Sequence, residues 1–306
     1  MTRPRLVAVV GPTAAGKTEL AAWLATRLDA EVVSVDSRQV FRRLDVGTAK
    51  PGAELRARVP HHLLDVVEPD AHMDAAGYAR LGREAIAEVI RRGRRVVLCG
   101  GSGLYLRALT EGLFDAPPGD AAIRRALDAA IAREGAPALH AELALLDPRA
   151  AARIAPRDAV RIRRALEVCR ATGKTISEWQ EGHAFADRPY DLQCWVLSPE
   201  VGDLDRRIAE RARSMWRDGL VEETEAVLAA GFAPELPPLQ AIGYREAQAH
   251  LRGELSREQA IAGIALATRQ YAKRQRTWFR RLADARPIAD ADDREELLAA
   301  ATRFLG

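Results

Sequence analysis

The stretch Leu6-Val7-Ala8-Val9-Val10-Gly11-Pro12-Thr13-Ala14-Ala15-Gly16-Lys17-Thr18-Glu19-Leu20-Ala21-Ala22-Trp23-Leu24 reads as strand, loop and helix. An apolar run leads into the spacing G-x-x-x-x-G-K-T, and a helical pattern follows it. The glycines let successive backbone N–H groups turn toward one anion at a helix N-terminus, where the peptide dipoles already favour negative charge. Lys17 then reaches the terminal phosphates, and the Thr18 hydroxyl is a ligand for Mg²⁺. This predicts an α/β protein of the P-loop NTPase-like kind, with a parallel sheet flanked by helices. The motif identifies a polyphosphate ligand, without saying which one or whether ATP is hydrolysed.

Working outward, a second strand over 31–35 ends at Asp36-Ser37-Arg38-Gln39. Ligands of open α/β sheets bind at the carboxyl ends of parallel strands, so Asp36 is expected beside the phosphate loop. A turn-rich segment over 45–51 and a short strand over 60–66 precede a helix over 75–92. The strand over 95–99 runs into Gly100-Gly101-Ser102-Gly103. A motor or switch ATPase would carry an Asp after such a strand to hold Mg²⁺, and its absence argues against that class. Pro117-Pro118-Gly119 marks a break. Beyond it the pattern is charged and helical over 120–134, 136–146 and 158–172, so residues 115–187 are expected to form an all-helical insertion in a core of residues 1–114 and 188–306. The sheet resumes at 191–197, followed by helices over 204–218, 221–230, 244–251, 256–282 and 294–304.

The chain has 306 residues, 48% of them hydrophobic, enough for a large core. No opening apolar stretch is as long as a secretory leader's, and none spans a bilayer, so a soluble, cytoplasmic protein is expected, with no membrane partner and no sign of an obligate oligomer. Cys99, Cys169 and Cys194 stand far apart and suggest neither a disulfide framework nor a zinc site. The net charge is only +3, but its distribution is uneven. Residues 269–281 carry six basic and no acidic residues, with Tyr271, Trp278 and Phe279 interleaved; residues 153–170 carry six arginines against Asp158 and Glu167. Two such segments suggest a polyanion gripped from two sides, the alternative being two solvated arginine-rich helices.

Taken in order, the phosphate loop, Asp36-Ser37-Arg38-Gln39, Gly47-Thr48-Ala49-Lys50-Pro51, Pro60-His61-His62-Leu63, Gly100-Gly101-Ser102-Gly103-Leu104-Tyr105 and the run from Ala267 to Trp278 closely resemble the tRNA dimethylallyltransferases, nearly end to end. The resemblance implies transfer of a dimethylallyl group from dimethylallyl diphosphate to N6 of the adenosine 3′-adjacent to the anticodon, with Mg²⁺ and release of diphosphate. It assigns the diphosphate to Gly11, Pro12, Thr13, Ala14, Ala15, Gly16, Lys17, Thr18 and Arg211. Arg207 shares a helical face with Arg211. Asp36 would take the N6 proton, Ser102 would aim the amine, Thr13 would sit near the transferred group, and Lys17 would neutralise the leaving group. For the tRNA anticodon stem-loop it points to Asp36, Ser37, Arg38, Gln39, Ser102, Arg124, Val160, Arg161, Ile162, Arg163, Arg164, Gly243, Tyr244, Arg245, Lys273, Arg274, Gln275, Arg276, Thr277, Trp278, Phe279 and Arg280.

The target base lies in a structured loop, so it is expected to be extruded and read by its edge and by stacking. Three positions depart from the family pattern: Ser102 stands where Thr is usual, Ala15 where Ser is common, and Phe41 where Tyr is common. The C-terminal zinc finger of eukaryotic members has no counterpart here. His61 and His62 are read as structural. Prenyl transfer to a free adenine nucleotide, a small-metabolite kinase and a non-catalytic nucleic-acid-binding module stand as alternatives.

Overall fold

The structure, a computed structural model, describes residues 3–113, 120–183, 187–282, 284–289 and 294–306. The Pro117-Pro118-Gly119 break lies outside the described residues. The chain divides into two compact units, one of residues 1–110 and 189–306, the other of residues 111–188.

In the larger unit the elements run β1 (Arg5–Val10), α1 (Lys17–Leu28), β2 (Ala30–Val35), α2 (Ala53–Arg58), β3 (His61–His62), α3 (Ala75–Arg91), β4 (Arg95–Gly100) and α4 (Gly103–Glu111). The smaller unit holds α5 (Ala121–Glu134), α6 (Ala136–Leu146), α7 (Pro148–Ala151), α8 (Ala159–Thr172) and α9 (Ile176–His183). The chain then returns through β5 (Asp191–Leu197), α10 (Val201–Arg217), α11 (Leu220–Ala229), α12 (Tyr244–Leu251), α13 (Arg257–Phe279), β6 (Ala285–Ile288) and α14 (Arg294–Leu305).

The strands form one sheet in the order β3-β2-β4-β1-β5-β6, with every neighbouring pair parallel. β1 is central, and Leu6 to Val10 are all fully buried. That is why its apolar run is continuous rather than alternating: both faces of a parallel sheet are covered. Leu20, Leu24 and Leu28 of α1 close over one face, each worth about 1.5–3 kcal/mol once fully buried. Register places the site. Val10 pairs with Gly100, and Gly100 with Val35, so the next residues along the edge are Gly11, Gly101 and Asp36.

Three elements differ from the sequence reading. The strand expected over 60–66 is only His61–His62, because Leu63 and Asp65 take left-handed backbone at φ 62° and 56° and turn the chain out of the sheet. The turn-rich segment is followed by the short helix α2, which buries no residue and so has no apolar stripe to read. β6 was not anticipated: Ala285-Arg286-Pro287-Ile288 lacks an apolar run, and its proline is tolerated because the strand forms the sheet's edge.

The smaller unit packs Leu127, Leu139, Leu143, Ile162 and Leu166 into a core of its own. Asp120 caps α5 by accepting from Ala122 and Ile123 N–H, and Asp158 caps α8 through Arg161 N–H. Buried Asp147 accepts from Ala150 N, Ser177 N and Ser177 Oγ, tying the α6–α7 corner to α9. Among the described residues no helix is long and apolar enough to cross a membrane.

Candidate active site

The loop after β1 turns sharply at Gly11, whose φ is +143° and whose missing side chain matters: a Cβ there would lie 2.5 Å from Leu197 O of β5. Ala14 and Gly16 also take positive φ, at 63° and 90°. α1 then begins at Lys17, so its first N–H groups face the loop. Lys17 Nζ donates to Pro12 O at 2.6 Å. Burial, aided by the neighbouring Arg211 charge, lowers the Lys17 pKa to about 8 against the opposing pull of Cys99 and Asp36. Arg211, on α10, is also drawn down by burial and supported by Asp36. Arg207, one turn back on that helix, reaches Ala15 O at 3.5 Å.

Lys17, Asp36 and Arg211 line one cleft of about 400 Å³ in the larger unit. Its wall is built from Thr13, Lys17 and Thr18 of the phosphate loop, 36–39 after β2, 47–49, Cys99 to Gly101 at the end of β4, and one face each of α10 and α13. Ile208, Ala212, Met215, Ala241, Ile242 and Ile264 make part of the wall apolar.

Asp36 Oδ1 accepts from Arg38 N at 2.8 Å and Gln39 N at 3.4 Å, which fixes the carboxylate at the strand end. Beneath it Tyr78 donates to Ser34 O at 2.8 Å and stacks on Tyr105 at 4.4 Å. Ser102 Oγ accepts from Ser37 N at 2.9 Å and lies 3.3 Å from Ser37 Oγ. Tyr271 of α13 lines the same cleft, its hydroxyl pushed up to about 12 by burial and Asp36. Gly103 follows Ser102 immediately, and a Cβ there would sit 2.3 Å from the Trp278 ring. Gly101 and Gly103 are therefore places where α13 packs down on the loop, whereas Gly100 is needed for the close approach of Val35 O.

The 45–51 loop is held from elsewhere in the chain. Glu223 of α11 accepts from Asp45 N, Val46 N and Gly47 N at 2.7, 2.8 and 3.1 Å, and from Tyr244 OH at 2.5 Å. Lys50 is buried with its ammonium shared among Phe41 O, Asp45 Oδ1 and Asp65 Oδ1. Glu223 gave no local signal, since its contacts with this loop span 176 to 178 residues of sequence.

Placement separates the residues expected to face tRNA. Lys273, Arg274, Thr277 and Arg280 are exposed on α13, Arg276 and Trp278 are half-buried, and Ser37, Arg38 and Gln39 stand at the cleft. On the helical unit Val160 and Arg161 are exposed, while Arg124 and Arg164 both pair with the buried carboxylate of Glu167 and Arg163 pairs with Asp128. Arg245 is exposed and pairs with Glu246, and Gly243 caps α12. Ile162, Tyr244, Gln275 and Phe279 do not present side chains outward: they are 0%, 0%, 7% and 2% exposed. Reading contiguous runs as contact surfaces ignored the helical period, which turns one residue in three or four into the core.

The family model described as IPP transferase matches residues 39–282. The chain belongs to the IPP transferase family. A relative named tRNA dimethylallyltransferase from Anaeromyxobacter dehalogenans is 53% identical over 96% of this chain and 97% of its own length. One of the same name from Geobacter metallireducens is 51% identical over 91% and 90%. The crystal structure of the tRNA isopentenylpyrophosphate transferase of Bacillus halodurans superposes with a TM-score of 0.73 at 37% identity, covering 99% of this chain and 97% of that one. A eukaryotic dimethylallyltransferase acting on tRNA gives a TM-score of 0.81 at 26% identity over 98% and 77%.

Proposed function

We propose that this member of the family transfers a dimethylallyl group from dimethylallyl diphosphate to N6 of the adenosine 3′-adjacent to the anticodon, in the cytoplasm, acting as a monomer. The observation that carries the reading is the gathering of two cations, Lys17 and Arg211, neither in an ion pair among the described residues, with one carboxylate, Asp36, in a single cleft at the strand ends. Full-length relatives named for this activity support prenyl transfer to tRNA over the kinase and free-nucleotide alternatives.

The diphosphate occupies the amides of the phosphate loop, with Lys17 and Arg211 facing its oxygens. The apolar side chains of α10 and α13 give the five-carbon chain a dry wall. N6 attacks the allylic carbon, the C–O bond breaks, and diphosphate leaves with the electron pair into a field of fixed positive charge. Asp36 accepts the N6 proton; its Oδ1 is anchored by backbone N–H groups, and Oδ2 is left for the substrate. Ser102, one lone pair taken by Ser37 N–H, offers the other to the amine.

Thr18 Oγ1 faces the same cleft without a hydrogen bond among the described residues, and such a hard oxygen donor fits Mg²⁺. Bound there, the ion would add positive charge against the departing diphosphate. The anticodon stem-loop is held by Lys273, Arg274, Arg276, Thr277, Trp278 and Arg280 on α13, and by Val160, Arg161, Arg163, Arg164 and Arg124 on the helical unit.

The test is incubation with labelled dimethylallyl diphosphate and either unmodified tRNA or adenosine monophosphate, with ATP omitted. Label in tRNA alone supports the reading. Label in the mononucleotide, or a requirement for ATP, contradicts it.

A further inference from the structure

The ladder joining β1 to β4 ends at the Val10–Gly100 pair. Beyond it the two loops diverge, and a side chain from α13 fills the gap. Gln275 Oε1 accepts from Thr13 N at 2.8 Å, and Gln275 Nε2 donates to Gly101 O at 2.8 Å. Its amide thus supplies one further rung between the strand ends. The fit is close: a Cβ on Gly101 would lie 2.4 Å from Gln275 Nε2. The amide is buried, though its neighbours Lys273 and Arg274 are exposed.

We infer that Gln275 is a positioning residue for the diphosphate loop, locking the Thr13 backbone to the β4–α4 turn so that the amides of residues 14–18 form the anion-binding concavity. Thr13 N–H, bonded to Gln275, is not among the donors offered to the anion. A half-buried N–H and a buried carbonyl would both lose their partner if the amide were lost, and the loop would relax to satisfy them. The assignment rests on the reading of the cleft as a diphosphate site.

The test uses chemistry particular to a two-ended hydrogen bond. A protonated carboxyl matches a primary amide, with a C=O acceptor and an O–H donor, whereas an ionised one has no donor. Facing Gly101 O, the carboxyl introduced by Gln275→Glu would hold its proton to a higher pH than usual. Calorimetric binding of inorganic diphosphate to the full-length protein is compared for wild type, Gln275→Met and Gln275→Glu at about pH 5.5 and about pH 8. Lys17, Asp36, Cys99, Arg211, Tyr271 and Arg274 line the same cleft and are common to all three proteins, so ratios to wild type are read.

Gln275→Met should bind roughly tenfold more weakly at both pH values. Gln275→Glu should bind within about threefold of wild type at the lower pH and fall to the Gln275→Met level or below at the higher. The regain at low pH separates positioning from a general loss of packing, which protonation would not repair. Wild-type binding by Gln275→Met at both pH values overturns the assignment of Gln275 alone. Failure of the wild type to bind diphosphate overturns this assignment and the reading of the cleft together.

Discussion

Lys17 on α1 and Arg211 on α10 put two positive charges into one cleft, and Arg211 adds to burial in drawing the Lys17 ammonium down to a pKa of about 8. A diphosphate between them would pull that pKa back up. Below about pH 8 the free protein already carries the proton, and affinity is at its plateau. Above it a proton must be taken up on binding, so affinity should fall by up to about tenfold per pH unit. Lys17→Arg cannot lose its charge and should not show this limb. Dividing the wild-type titration of diphosphate binding by that of Lys17→Arg removes the ligand's own ionisation, and a flat ratio from about pH 7 to 10 would refute the claim.

Much of this site is legible in the sequence, because the phosphate loop and Asp36 follow apolar strands whose order the βα pattern implies. What register adds is that β4 lies between β1 and β2, so Gly101 separates the loop from the carboxylate. Glu223 and Gln275 act across long sequence separations through backbone groups, which leave no pattern in residue types. The inward face of α13 was hidden for a different reason: its basic run is continuous in sequence but divided in space, with Gln275 and Phe279 turned into the core.

Asp36 both anchors a turn and faces the cleft, so Asp36→Ala confounds two losses. Asp36→Asn keeps an oxygen for Arg38 N–H and Gln39 N–H while removing the base. Its single-turnover rate of transfer should fall by about 10² to 10⁴, with tRNA affinity nearly unchanged. A near-normal rate in Asp36→Asn would remove Asp36 from the role of base.

Lys273 and Arg274 are exposed, and no carboxylate among the described residues is paired with either. Neutralising both should lower the salt slope of tRNA binding by roughly one to two, similarly across tRNA sequences, since each phosphate contact adds about one. Arg163 is already paired with Asp128 and should contribute less. Ser102→Ala should slow transfer with little change in slope, because its hydroxyl would meet the base rather than the backbone. An unchanged slope in the double variant would make this face of α13 a merely solvated one.

Glu223 satisfies three consecutive backbone N–H groups and the Tyr244 hydroxyl. Glu223→Ala strands them and should cost about 1–3 kcal/mol in urea unfolding. Because Gly47, Thr48 and Ala49 line the cleft, weaker substrate binding should accompany it. Full stability in Glu223→Ala would mean the loop is held by the Lys50 cluster alone.

The central claim is that the nucleophile is one particular adenine amine, and the position of the label tests it most directly. Unmodified tRNA is treated with labelled dimethylallyl diphosphate and digested for nucleoside and fragment mass analysis, beside a tRNA whose adenosine 3′ of the anticodon is replaced by guanosine. The account predicts one dimethylallyl group on N6 of that adenosine in the first tRNA and none in the second. Label elsewhere in the tRNA, equal labelling of both, or none in either while the wild-type protein binds diphosphate and tRNA, would contradict it.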